Sequence, residues 1–99
     1  MDRNTAAQGF SAMGSDARLS VLQILVKAGD GGLQVGDIQE RSGIPASTLN
    51  HHLKALHGAG LIVQDRQGRA VINRANYAHL QTLAAFILEE CCADEDPMR

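Results

Sequence analysis

The stretch "IPASTLNHHLKALHGAGLI", residues 44–62, decides the fold. Leu49, Leu53 and Leu56 recur at i, i+4 and i+7, which predicts a helix over about 46–58 with one apolar side. Pro45 suits a helix start, and Gly58 and Gly60 close it. Just upstream, "SGIP" joins this segment to a shorter predicted helix at about 35–42, with Ile38 inward and Gly43 supplying a left-handed turn. Two helices on so tight a turn make a helix-turn-helix. Downstream lies "LIVQDRQGRAVINR", residues 61–74. Leu61 and Val63 alternate with polar neighbours, "DRQGR" turns around Gly68, and Val71 and a polar Asn73 alternate with Ala70 and Ile72. A hairpin behind a helix-turn-helix is a wing.

Working outward, three further helices are expected. The first, about 4–13, has Ala6, Ala7, Phe10 and Met13 on its apolar side, and Gly14 breaks it. The second, about 16–28, starts at a Ser15 cap with Asp16 in its first turn. It carries Leu22, Leu25 and Val26 on one face, with Leu19 and Val21 beside them, and "AGDGG" ends it. A short extended "LQV" follows. The last helix, about 76–92, has the longest stripe: Leu80, Leu83, Ala84, Ile87, Leu88 and Cys91. The expected fold is mainly α with a small β-hairpin (α+β), a winged helix-turn-helix of five helices plus the wing. It forms one domain over 1–93, with an acidic, frayed tail at 94–99. A chain of 99 residues buries only a modest core, so dimerisation would help it.

Composition excludes several classes. No apolar run spans a bilayer, and "MDRNTAAQGF" lacks the layout of a signal peptide, so a cytoplasmic protein with no membrane partner is expected. Two Phe, one Tyr and no Trp are too few for a platform stacking single-stranded bases. Net charge is −2, but its distribution is uneven. From Arg41 to Arg74 there are five basic residues (Arg41, Lys54, Arg66, Arg69, Arg74) against Asp65 alone, while Glu89, Glu90, Asp94, Glu95 and Asp96 crowd the end. Such a split fits a nucleic-acid face on a neutral-to-acidic molecule.

The fourth helix carries the candidate contacts. With its leucines inward, Ser47, Thr48, Asn50, His51 and Lys54 lie towards the other side. The first four cluster in the N-terminal half, which enters a major groove in this motif, and hydroxyl, amide and imidazole groups suit base edges and phosphates. Lys54 is better placed for a phosphate. Arg66 and Arg69 flank the hairpin tip, where they can reach phosphates or a narrow minor groove. His52 reads as a half-buried, hydrogen-bonded histidine, and His57 as a charge near the helix C-terminus. Adjacent His51 and His52 point ~100° apart, unlike the i, i+4 pairs that bind zinc, and His79 is isolated. No catalytic constellation emerges, so an enzyme is not expected.

Taken in order, "GSDARLSVLQIL", "IPASTLNHHLKALHGAGLI" and "DRQGRAVINR" resemble the ArsR family of bacterial winged helix-turn-helix repressors over about residues 10–88. The resemblance implies a homodimer built by the first and last helices, binding an imperfect inverted repeat of double-stranded DNA until an inducer releases it. By position it puts DNA contacts on Val35, Ser47, Thr48, Asn50 and His51; Ala46 stands where relatives often have glutamine. Neither standard metal site of the family carries over. Gln34 and Gly36 replace the cysteine pair at the start of the third helix, and Asn76, Ala78, Glu89 and Cys92 occupy the zinc positions of the last.

What remains is "EECC". Cysteines at the C-terminal end resemble the arsenical sites of some family members, and thiolates are apt soft ligands, so Cys91 and Cys92 are the candidate inducer site. Two thiols suit a monomethylated trivalent arsenical. Adjacent helical residues splay their sulfurs, so the pair must sit where the helix frays. No resident cofactor is expected. Two other readings stay open: a thiol-redox switch on the same cysteines, and a winged-helix module for protein contacts. A Cys91–Cys92 disulfide would be strained, because adjacent Cα atoms are only ~3.8 Å apart.

Overall fold

A computed structural model of the chain describes residues 1–95. Five helices and one antiparallel hairpin follow in the expected order: α1 (Arg3–Ala12), α2 (Asp16–Ala28), α3 (Val35–Ser42), α4 (Ala46–Gly58), β1 (Ile62–Gln67), β2 (Ala70–Ala75) and α5 (Tyr77–Ile87). A short 3-10 turn at Gly29–Gly31 follows α2. The acidic tail read at 94–99 lies, from residue 96 on, outside the described residues. Among the described residues no helix is long and apolar enough to cross a membrane.

Local chemistry sets the boundaries. Asp2 and Ser15 cap α1 and α2 by accepting from the amides of Thr5 and Arg18. Helix α4 ends in a Schellman motif: Leu61 N–H donates to the Leu56 carbonyl and Gly60 N–H to that of His57, with Gly60 at φ +78°. Leu61 thus belongs to the helix stop, not to the strand. This shifts the strand alternation by one residue from the expectation. Ile62 is buried and Val63 is exposed. The turn is also tighter than "DRQGR", because the ladder runs to Gln67↔Ala70 and leaves only Gly68 and Arg69 between the strands. Gly68 is at φ +64° and Arg69 is not in the positive region, as a type II′ turn requires.

The core joins Val21, Leu22 and Leu25 of α2 to Ile38 of α3, to Leu49, Leu53 and Leu56 of α4, and to Leu61, Ile62 and Leu83. Val26, expected on the apolar face of α2, and Leu19, expected beside it, are instead about two-fifths exposed, while Val21 is buried. Tyr77 ties α5 to α2 by donating its hydroxyl to the Val26 carbonyl at 3.1 Å. Helix α1 packs on α5 at Gly9, where a Cβ would come within 3.0 Å of Leu83 Cδ1.

Helix α5 departs most from the expectation of 76–92. Asn76 is its cap, accepting from His79 N–H, and the helix stops at Ile87. From Leu88 to Ala93 the backbone continues as turns. The stripe there has nothing to pack on: Ile87 and Leu88 are 67% and 64% exposed, and Cys91 is exposed too. Glu89 and Glu90 add negative charge at a helix C-terminus, which the helix dipole disfavours.

Candidate nucleic-acid interface

Position 43 sets the angle of the two-helix unit. Gly43 is left-handed at φ 72°, its N–H donates to the Gln39 carbonyl at 2.8 Å, and the Ser42 hydroxyl accepts from Ile44 N–H. Pro45 then stands at the cap position of α4 with extended ψ, so no side chain caps that helix. Its first amides face outward without a side-chain acceptor, at the positive end of thirteen aligned residues.

The leucine face of α4 is buried, and the opposite side presents Ser47, Thr48, Asn50, His51 and Lys54, all exposed. The structure thus brings five sequence-selected residues onto one open helix surface. Val35, at the start of α3, differs: it is half-buried and packs against the core. Arg66 and Arg69 are exposed at the wing tip.

The wing is anchored from below by Asn73, which the alternation had marked only as polar. It is 0% exposed. Its backbone exchanges both hydrogen bonds with Leu33, its Nδ2 donates to the Leu33 carbonyl at 3.2 Å, and its Oδ1 accepts from Gln64 Nε2 at 2.9 Å. The expected extended "LQV" is therefore a one-residue bridge that ties α3's start to the wing. Gly32 next to it is at φ +66°, and a Cβ there would lie 2.6 Å from the Asn73 carbonyl oxygen. The sequence offered only a polar residue at an alternation position of β2, opposite Gln64 in the ladder.

Charge is redistributed relative to the sequence count. Arg74 pairs with Asp65 at 3.2 Å and donates to the Asp30 carbonyl at 2.7 Å, so it braces the wing. It is the one ion pair among the described residues. Arg41 lines a hollow of about 300 Å³ with Ile24 and Lys27, against α2. Lys54, Arg66 and Arg69 remain as unneutralised cations on α4 and the wing tip.

His52 is half-buried, as expected. Arg18 Nε donates to its Nδ1 at 3.3 Å, and its ring centroid lies 6.2 Å from that of His51. Burial first, then the Arg18 and His51 charges, push its pKa below the ordinary imidazole value. His57 is exposed in the last turn of α4. His79 has a buried Nε2 with no protein partner.

The cysteines form a separate feature beyond α5. Both are exposed, with Sγ atoms 3.4 Å apart. Among the described residues Cys92 is the one non-glycine residue at positive φ, +65°. Hydrogen bonding with Cys91, then with Glu95, raises the Cys92 thiol pKa. Among the described residues, no group of three or more His, Cys, Asp or Glu is placed to hold a metal ion.

Residues 13–65 match the helix-turn-helix domain family. Over 90 residues the chain is 36% identical to the HTH-type transcriptional regulator NmtR of Mycobacterium tuberculosis, covering 91% of this chain and 72% of that one. An ArsR-like transcriptional regulator from Rhodococcus sp. RHA1 superimposes with a TM-score of 0.78 at 26% identity, covering 92% of this chain and 82% of the other. The homodimeric winged helix-turn-helix DNA-binding domain Mb0332 from Mycobacterium bovis does so with a TM-score of 0.68 at 25% identity, covering 92% and 89%.

Proposed function

The chain belongs to the ArsR family of winged helix-turn-helix, DNA-binding transcriptional repressors, and from that premise we propose a homodimer that occupies an imperfect inverted repeat until a soft thiophilic inducer releases it. The observation that carries this reading is the open polar surface of α4 beside an arginine-tipped wing. Thr48 and Asn50 read base edges in the major groove, with Ser47 and His51 beside them. Lys54 meets a phosphate, and Arg66 and Arg69 meet flanking backbone or minor groove. Val35 supplies an apolar and backbone contact at the start of α3. The bare amides of α4 favour a phosphate at its N-terminus.

Dimerisation follows from the exposed end of α5. Ile87 and Leu88, with Ala84, leave apolar surface in water, and Phe10 of α1 and Met13 just after it are only half-buried. The Mycobacterium bovis domain is homodimeric; a twofold pairing of this chain through that surface would present two copies of α4 to grooves one helical turn apart, ~34 Å.

For the inducer, geometry favours a pyramidal centre. Two bonds of ~2.3 Å, a usual thiolate–metal length, reaching across 3.4 Å meet at roughly 95°. A tetrahedral centre with the same bonds wants sulfurs roughly 3.8 Å apart. The smaller angle suits an ion with a lone pair, such as trivalent arsenic. With only two thiols available from this chain, a monomethylated arsenical completes its valence with its own carbon. The raised Cys92 pKa slows oxidation and arsenical capture alike, because the thiolate is the reactive form in both, so it does not choose between them.

The test is an operator gel shift. The double variant Asn50→Ala/Arg69→Ala should lose most of its affinity; unchanged binding overturns the interface. Methylarsenite should release the wild type and leave Cys91→Ser/Cys92→Ser bound; normal release of that variant overturns the inducer site.

A further inference from the structure

We propose that Arg18, held in place by His52, is a clamp for a backbone phosphate at the edge of the groove that α4 enters. The inference rests on the reading of α4 as the groove-reading helix and adds a contact from α2, an element not otherwise assigned to the interface.

The position of Arg18 is unexplained by folding. It is the third residue of α2, in the turn where the helix dipole disfavours a cation. Its partner is no carboxylate: among the described residues the one ion pair is Arg74–Asp65. Instead Arg18 Nε donates to the Nδ1 of His52 at 3.3 Å. A guanidinium carries five N–H groups in a planar fork. With Nε committed, both Nη groups lack a protein partner among the described residues, so the end of the fork stays available for two oxygens of one phosphate. The residue is only half-buried, so that end reaches solvent.

The anchor places the cation next to the groove-facing set. His52 follows His51 directly, and their rings are 6.2 Å apart and inclined by 56°. His51 is exposed on the surface that carries Asn50 and Lys54. The guanidinium therefore stands one imidazole away from that surface, on the side towards α2. A side chain there flanks the groove and cannot enter it, which fits a backbone contact that fixes register. His52 is a positioning residue. Its ring must be neutral to accept from Arg18, and the charges that bear on it, Arg18 and His51, both oppose protonation.

Salt dependence separates a phosphate contact from a structural tie. Operator affinity is measured from 50 to 300 mM salt for wild type, Arg18→Gln, Arg18→Lys, His52→Ala and His52→Gln, with Asn50→Ala alongside. Each phosphate contact contributes ~0.9 to the slope of log K against log salt, so Arg18→Gln in a dimer should flatten it by about 1.8. Arg18→Lys keeps the charge and should keep the slope. His52→Ala leaves Nε without its acceptor and should flatten the slope part of the way towards that of Arg18→Gln, and His52→Gln, which still offers an oxygen to Nε, should restore it; a His52→Ala slope equal to wild type overturns the anchoring. Arg18→Ala is a second neutral variant should Arg18→Gln melt early. A weaker Arg18→Gln complex with an unaltered slope overturns the proposal, as does an Arg18→Lys slope as flat as that of Arg18→Gln. Full affinity in Asn50→Ala instead removes the premise that α4 reads the groove.

Discussion

The reading head, from Asp16 to Ala75, and the C-terminal end, from Leu83 onwards, are built on opposite terms. In the head, three helices close over a shared core, and its fully buried polar residue, Asn73, has side-chain and backbone partners. At the C-terminal end, apolar residues continue past the last neighbour that could cover them, and the helix gives way to turns. The head is complete within one chain. The end is complete only when something else covers it, which makes it the part of the molecule whose state a ligand or partner can change.

The sharpest way to break this contrast is Ile87→Asp with Leu88→Asp. Both residues are mostly exposed in the single chain, so the head should melt as before. The dimer should dissociate in sedimentation, and operator affinity should fall by about 10²–10⁴-fold as the two heads lose their linkage. An unchanged dimer would mean that the open end is merely surface. The counterpart in the head is Leu53→Ala, at a side chain 2% exposed. It should cost about 2–5 kcal/mol in denaturant unfolding. A cost below about 1 kcal/mol would show that the head is looser than its packing implies.

The contrast also governs how much was readable in the residues. The boundaries of α2, α3 and α4 follow from local signals: Ser15 acts through its own hydroxyl, and the Asp30–Gly32 break, Gly43 and Pro45 through their own backbone. The exposed set on α4 follows from the leucine spacing alone. Three features were not legible, and each depends on residues distant in sequence. The burial of Asn73 depends on Leu33, forty residues away. The role of Arg18 depends on His52, thirty-four residues away. The early end of α5 depends on the lack of any covering surface, which periodicity cannot register. The residues with proposed roles at the site were named from spacing and resemblance, but the 3.4 Å approach of the sulfurs accompanies a left-handed Cys92 that no local rule favours.

A smaller effect tests the wing anchor. Asn73→Ala removes the side-chain bonds to Leu33 and Gln64 and keeps the backbone bridge. The loss should be about 1–3 kcal/mol in thermal unfolding, because the partners keep access to other acceptors or water only in part. Hydrogen exchange should quicken at Leu33 and Gln64 and stay slow at Leu53. Uniform quickening would mean that wing and helices unfold as one unit.

The smallest effect expected concerns pH and His52. Its folded pKa lies below the unfolded value of ~6.5, chiefly because burial opposes the charged ring, with Arg18 and His51 adding to this. In the window just below ~6.5, the unfolded chain therefore binds more protons than the folded one, and stability rises with pH there. The contribution is intact above ~6.5 and is lost as pH falls from that value through the lower folded pKa. The half-exposed ring keeps the loss small. Acid acts on the whole molecule, so the quantity to read is the difference between wild type and His52→Gln, melted in parallel from pH 8 to 5. That difference should move against the wild type on acidification. Movement in its favour would mean that the ring is charged in the folded state. It could not then accept from Arg18, and the tie between α2 and α4 would fail with it.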